Sequence, residues 1–320
     1  MDGSSSRRRA PFLIGLVAIL LALPLGYFLF LEPPAATTPP PPPPVPEVRP
    51  DVPAAVPVQP VAKRLAELRL EEVRGTVEVR RGGGEWRGAS VGEALRASDT
   101  VRTLDGAYAV LIGGEAVEIR MEPGTEVSVA ELTDSLSRLL LGNGMTTVSV
   151  KSGAHHTLEM GAVGSDAVAR SEGGRFTVSN NGAGTVALAS LEGETSLSGQ
   201  RKVVIVRAGQ QSIVRPGQGP SDPTSIPPSL LLKVNWPHRP RRQALVTGQT
   251  EPGSRVIIDG KSVEPDDQGR FSATVSLKEG ANHVRVDARS VGGRNQEEQR
   301  DLTVDTTPPK GVTVDPGLWK

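Results

Sequence analysis

The chain has 320 residues, with 36 Lys or Arg balanced by 36 Asp or Glu, no cysteine and only 3% aromatic residues. Zero net charge gives no electrostatic reason to expect nucleic acid as a partner, and the missing cysteines exclude disulfides, lipoprotein processing and every thiol-based mechanism. The 36 glycines and 28 prolines, set among many Val, Thr and Ser residues, point to short strands and tight turns.

The first predicted element is a membrane anchor. Arg7, Arg8 and Arg9 precede an uncharged apolar run over 11–31, which as a helix is about 30 Å long and matches the hydrocarbon thickness of a bilayer. Tyr27 and Phe28 sit near its far end, where interfacial aromatics are favoured, and Pro24 would kink it. The positive-inside rule places 1–10 in the cytoplasm and the rest of the chain beyond the inner membrane, as a single-pass protein with its bulk in the periplasm. A cleaved signal peptide shares the same opening. The run is longer than a usual signal core, and prolines crowd Glu32-Pro33-Pro34-Ala35 as a cleavage site, so an uncleaved anchor is expected.

Residues 32–60 are mostly Pro, Ala and Val, including six consecutive prolines from Pro39 to Pro44, and cannot build a core. They predict a disordered stalk of polyproline II character, reaching on the order of 80–90 Å when extended. Val61, Leu65 and Leu68 then fall at helical spacing and predict a short helix over 61–71.

From residue 72 the period changes to two. Val77/Val79, Val117/Ile119/Met121, Val127/Val129, Val148/Val150, Leu158/Met160, Phe176/Val178 and Val186/Leu188 each alternate with small or polar residues, the pattern of half-buried strands. Turn signals separate them: Gly82-Gly83-Gly84, Asp105-Gly106, Gly113-Gly114, Pro123-Gly124, Gly142-Asn143-Gly144, Gly173-Gly174 and Asn180-Asn181-Gly182.

The same residues carry a family resemblance. Gly75 with Val77 and Val79, then Trp86, Val91-Gly92-Glu93-Ala94-Leu95, Asp99-Thr100-Val101-Arg102-Thr103, Val117-Glu118-Ile119 and Pro123-Gly124-Thr125-Glu126-Val127 resemble the FecR domain in kind and order. Phe176-Thr177-Val178, Leu191-Glu192-Gly193-Glu194 and Ala208-Gly209-Gln210-Gln211 resemble its continuation, so the likeness spans 72–215. Ser98-Asp99 and the stretch from Val163 to Asp166 depart from the usual pattern without preventing a strand or turn. The resemblance implies a periplasmic module built as a short β-solenoid or flattened roll. It also implies regulation, since FecR proteins carry signals from outer-membrane receptors to cytoplasmic sigma factors. Residues 1–10 are too short to hold a sigma factor, so direct sigma-factor binding is not expected.

Residues 216–228 read as a second linker, too rich in Pro, Gly and Ser to continue a sheet. Beyond it, 230–234, 244–248, 255–259, 270–276, 282–289 and 300–304 predict the strands of a small β-sandwich over 229–307, followed by a tail at 308–320. Gly248, Glu251-Pro252-Gly253, Asp267-Gln268-Gly269, Gly280 and Asp305-Thr306-Thr307-Pro308 resemble bacterial immunoglobulin-like domains, which implies a spacer or adhesion role.

No motif assembles a catalytic centre. Gly88-Ala89-Ser90-Val91-Gly92 fits a nucleophile elbow but lacks the following helix, and the stretch from Gly182 to Ala187 fits a dinucleotide fingerprint where a hairpin is expected. Gly260-Lys261-Ser262 reads as a β-turn. His155 and His156 point to opposite faces of a strand and are expected in solvent, and Asp259, Asp266 and Asp267 suit a hairpin better than calcium. Arg239, Arg241 and Arg242 form a basic loop beside Trp236. The expected function is a non-enzymatic binding module without cofactor, catalytic residues or metal ligands, with an envelope protein as its partner. The alternative, binding of peptidoglycan or another cell-wall polymer, would use Trp86, Tyr108 or Trp236 for stacking.

Overall fold

The computed structural model of the protein describes residues 67–307. The expected anchor at 11–31, the stalk at 32–60, most of the 61–71 segment and the tail at 308–320 lie outside the described residues. The protein is all-β: among the described residues there is no helix, and so none long and apolar enough to cross a membrane. They fall within one compact unit, Val61–Lys320.

Sixteen strands form the first module: β1 (Leu68–Arg74), β2 (Val77–Arg80), β3 (Trp86–Gly88), β4 (Ala94–Leu95), β5 (Thr100–Thr103), β6 (Tyr108–Gly113), β7 (Val117–Met121), β8 (Glu126–Leu132), β9 (Leu136–Val150), β10 (Thr157–Ala162), β11 (Val168–Ser171), β12 (Gly174–Asn180), β13 (Val186–Gly199), β14 (Lys202–Arg207), β15 (Gln210–Val214) and β16 (Thr224–Ser225). Their pairings make two layers. One runs β4-β1-β6-β7-β9-β12-β13-β15-β16 and the other β3-β2-β5-β8-β9-β10-β11-β13-β14, all antiparallel except β9 with β10. Strands β9 and β13 belong to both, so the chain rolls forward along one axis as a flattened roll. Val79, Val101, Val127 and Leu139 from the second layer meet Leu111, Ile119, Val148 and Phe176 from the first in one core, and none of them is more than 0% exposed. A slender core filled by aliphatic side chains needs few aromatics, which accounts for the composition.

Three expectations change here. Residues 68–71 lie in β1, not in a helix: Leu68 and Leu70 are buried while Arg69 and Glu71 face out, and pairing with β6 outweighs the weak helical spacing. Gly142-Asn143-Gly144 is no turn but the corner at which β9 passes from one layer to the other. The linker at 216–228 does continue a sheet, since Thr224 and Ser225 in β16 pair with Gln211 and Gln210 of β15.

The second module has two sheets around one core. β17 (Leu232–Asn235), β18 (Gln243–Thr250) and β21 (Arg270–Ser276) form one, and β20 (Lys261–Val263), β19 (Arg255–Ile258), β22 (Gly280–Arg289) and β23 (Asn295–Val304) the other. Val246 and Phe271 from the first sheet pack with Val256, Val284, Val286 and Leu302 from the second. β23 begins at Asn295, earlier than the expected 300–304, because the polar stretch Asn295-Gln296-Glu297-Glu298 pairs through its backbone with β22.

Candidate functional site

The outer face of the roll's first layer carries Met145, Ala187 and Ala189, apolar side chains unsuited to water. Ile213 of β15, opposite Ala187, extends this face, and Val291 of the second module packs on it with Ile226 in a third, smaller core. Gly253 approaches so closely that a Cβ there would lie 2.3 Å from the Ala187 Cβ, at a φ of +80° that already favours glycine. Ser179 Oγ donates to the Gly253 carbonyl at 2.6 Å, and Asn181 Nδ2 donates to the Pro265 carbonyl at 3.1 Å.

Charge closes the other side of the junction. The Arg255 side chain, 5% exposed, pairs with Glu264 and donates from Nη2 to the Pro123 carbonyl of the first module at 2.5 Å. Burial pushes the Glu264 carboxyl above its ordinary 4.5, while Arg255 and a hydrogen bond from Asn143 pull the other way. Ser262 N donates to Asp105 Oδ1 at 2.8 Å, and Arg289 pairs with Glu122 at 2.8 Å. The second module is therefore docked on the first.

This docking makes a cleft. Two adjoining cavities of about 470 and 580 Å³ share Glu122 and Arg289. Tyr108, Arg120, Thr147, Ser149, Arg175 and Thr177 line it from the roll, and Arg285, Asp287, Asn295 and Glu297 from the sandwich. Alternation along the strands aims these polar side chains outward. Each arginine has a carboxylate: Arg120 with Glu118 at 2.6 Å, Arg289 with Glu122, Arg285 with Glu297 at 3.0 Å, and Arg175 with Glu192. Thr147 and Thr177 hydroxyls lie 3.1 Å apart. The lining is rich in donors and acceptors and balanced in charge, which suits a polar surface or ligand of low net charge better than an anion.

The sequence motifs fall elsewhere. Gly88 ends β3, and 90–93 form a turn in which Glu93 N donates to the Ser90 carbonyl at 3.1 Å; β4 follows, not a helix. Gly182 and Gly184 sit in the β12–β13 hairpin loop, where Asn181 Oδ1 accepts from Ala183 N and Thr185 N at 2.9 and 3.0 Å. Asp259 and Gly260, with φ of 50° and 82°, make the tight turn between β19 and β20. Asp266 Oδ1 accepts from Gln268 N and Arg270 N at 2.9 and 2.8 Å, and Asp259 Oδ1 accepts from Arg285 N at 3.0 Å. Among the described residues no group of three or more His, Cys, Asp or Glu is placed to hold a metal.

His155 is exposed, but His156 is buried, against the expectation for the pair. Its Nε2 lies 2.9 Å from Ser137 Oγ and its Nδ1 3.2 Å from the Asp134 carbonyl. Neither lies on a strand as expected: both precede β10, and a left-handed φ of 51° at His155, not strand alternation, separates the two rings. Arg239, Arg241 and Arg242 are exposed, and Arg242 approaches Glu279 only to 3.9 Å. Trp236 packs on the second core and donates from Nε1 to Glu298 at 3.4 Å. Trp86 is half-buried beneath two guanidinium groups, Arg102 at 4.0 Å and Arg80 at 4.6 Å from its ring centre, so its ring is already engaged. Tyr108 is the half-exposed aromatic that remains on the cleft wall.

The second module also carries a titrating pair. His283 Nδ1 lies 2.8 Å from Asp301 and Nε2 lies 3.0 Å from Gln299 Oε1, so hydrogen bonding to Asp301 first, then Gln299, raises the imidazole above its ordinary 6.5. A raised histidine pKa contributes stability that is fully present below the unfolded value and is lost as pH rises through the folded one. NMR titration of Asp301→Asn is expected to show the His283 pKa falling back toward the ordinary value.

No family model matches this sequence, and no curated protein matches it. Two crystal structures of a candidate anti-sigma factor from Parabacteroides distasonis are similar in part. One is 14% identical over 39% of this chain and 59% of its own length with a TM-score of 0.34, and the other 13% identical over 44% and 68% with a TM-score of 0.35. A polysaccharide lyase is 9% identical over 75% of this chain and 40% of its own, at a TM-score of 0.20. This chain thus spans less than two thirds of the first of these proteins. The overlaps are partial and distant in sequence.

Proposed function

We propose that this is an inner-membrane protein anchored through 11–31, whose proline-rich stalk presents a FecR-type roll and a docked immunoglobulin-like sandwich to a protein partner in the periplasm, as a non-enzymatic binding module in envelope signalling or assembly. The observation that supports it best is the junction: burying Arg255 and Gly253 between the modules, with Glu264 paired to Arg255, forms a polar cleft lined by residues of both. The order of FecR-like segments from Gly75 to Gln211 supports the regulatory side. A photo-crosslinking residue at Thr147 in the full chain, in cells, is expected to give a discrete protein adduct that a residue at exposed Lys278 does not. No adduct at Thr147, or equal adducts at both positions, overturns the reading.

Tyr108 beside the hydroxyls of Thr147, Ser149 and Thr177 favours a second reading, a cleft for peptidoglycan or another polysaccharide. Sedimentation of the full chain with purified peptidoglycan, lost in Tyr108→Ala, is its expected result.

A further inference from the structure

We infer that a smaller cavity at the junction is a binding site for a free, small aliphatic α-amino acid, with Arg215 of the roll taking its carboxylate and Glu251 of the sandwich its ammonium group. The cavity has a volume of about 190 Å³ and shares only Ser290 with the cleft. With ~30 Å³ as one water's share of liquid volume, that is room for roughly six waters, or for a molecule of about as many heavy atoms.

Its two charges are left for a ligand. Arg215 directly follows β15 and Glu251 directly follows β18; both are half-buried and line the cavity, yet they form no ion pair with each other, and neither has an oppositely charged partner among the described residues. Elsewhere at the junction the opposite holds: Arg255 pairs with Glu264, and Arg289 with Glu122. Burial pushes the Glu251 carboxyl above its ordinary 4.5, while a hydrogen bond from Leu231 N pulls the other way and no cation assists it. Gln211 adds a third unmet demand, since its Oε1 is buried without a donor. A turn of that amide would present the oxygen to the cavity.

The rest of the wall selects the side chain. Ala187, Ile213 and Val291 supply apolar surface, and Ser212, Ser254 and Ser290, which are 3%, 4% and 5% exposed, supply hydroxyls. A zwitterion with a short aliphatic side chain matches both. Water would solvate the two charges without neutralising either, and a lone carboxylate or a lone ammonium would leave one of them unmet. Because its two ends would be held by different modules, the ligand would also tie the sandwich to the roll.

This goes beyond the binding-module reading and does not rest on it, since neither Arg215 nor Glu251 lines the cleft that crosslinking at Thr147 reads. The full chain in detergent is dialysed to equilibrium against radiolabelled L-alanine or D-alanine. At least one isomer is expected to saturate a single site, with acetate and methylammonium each displacing it roughly tenfold less well than the unlabelled amino acid. Arg215→Gln and Glu251→Gln are each expected to weaken binding by roughly tenfold or more, the loss of one charge-assisted hydrogen bond, in protein that keeps the parent's cooperative thermal unfolding. The competition needs no variant, so it decides the question even where a variant fails to fold. No saturable binding of either isomer, displacement by acetate or methylammonium as good as by alanine, or unchanged binding in both folded variants overturns the proposal.

Discussion

Replacing Arg255 by Ala is expected to cost about 3 kcal/mol of stability and to undock the sandwich from the roll. The side chain is 5% exposed and has two partners, Glu264 in its own module and the Pro123 carbonyl in the other. Its removal leaves a mostly covered carboxylate, 29% exposed, without its cation and a carbonyl without its donor, and both costs fall on the docked state. The apolar patch of Met145, Ala187, Ala189 and Val291 is too small to compensate. Thermal unfolding should change from one transition to two, and small-angle scattering should show a larger radius of gyration. The loss should also depend on pH. Burial already holds Glu264 above 4.5, and without Arg255 nothing ionic opposes it. A carboxyl whose folded pKa is raised favours the folded state when protonated, so its destabilising effect is absent below the unfolded value and grows as pH rises through the folded one. The variant's deficit should therefore be larger at pH 7 than at pH 4. A single transition with an unchanged deficit at both pH values would show that Arg255 does not hold the junction.

The strands themselves were legible because their cause is local. Val77/Val79, Ile119/Met121 and Phe176/Val178 alternate since one face of each strand meets the core, and that alternation is written along the chain. What was not legible depends on neighbours distant in sequence. Ala187 reads like any small strand residue until Gly253 arrives from the second module to cover it. Thr224 and Ser225 lengthen a sheet through backbone pairing, which leaves no mark on side-chain composition. The cleft was invisible for the same reason: Tyr108, Thr147 and Thr177 are ordinary outward positions on three strands, brought together by register, and Arg289 reaches them from the other module. One signal was available. Arg255 follows a Gly-Ser turn and begins an apolar run, Val256-Ile257-Ile258, and a charge in that place needs a buried partner.

Gly144 shows the same limit at a single residue, and its replacement by Ala is expected to cost about 4 kcal/mol, the sum of backbone strain of about 1–3 and overpacking of about 1–3 kcal/mol. As a turn residue it would be tolerant, with space around it. At the corner of β9 its φ is +104°, and a Cβ would stand 2.4 Å from Thr125 Oγ1 and 2.6 Å from the Thr125 Cα. The obstacle is backbone, so no rotamer change relieves it. Thr125 cannot retreat, because its hydroxyl donates to the Met145 carbonyl at 3.2 Å and accepts from Met145 N at 3.1 Å, while its own N–H donates to Thr103 Oγ1 at 3.0 Å. Gly114 supplies the control: its φ is +56° but nothing lies within 4 Å of a Cβ there, so Gly114→Ala carries the strain alone and should cost about 1 kcal/mol. Denaturant unfolding of the two variants separates the effects. Equal losses would mean that the corner yields, and that β9 joins the two layers through a hinge instead of a packed bend. A larger loss at Gly144 would mean that the roll depends on β9 crossing at one fixed angle. That angle sets how Thr147 and Ser149 face the cleft, so Gly144→Ala should weaken crosslinking at Thr147 under conditions where the variant is still folded.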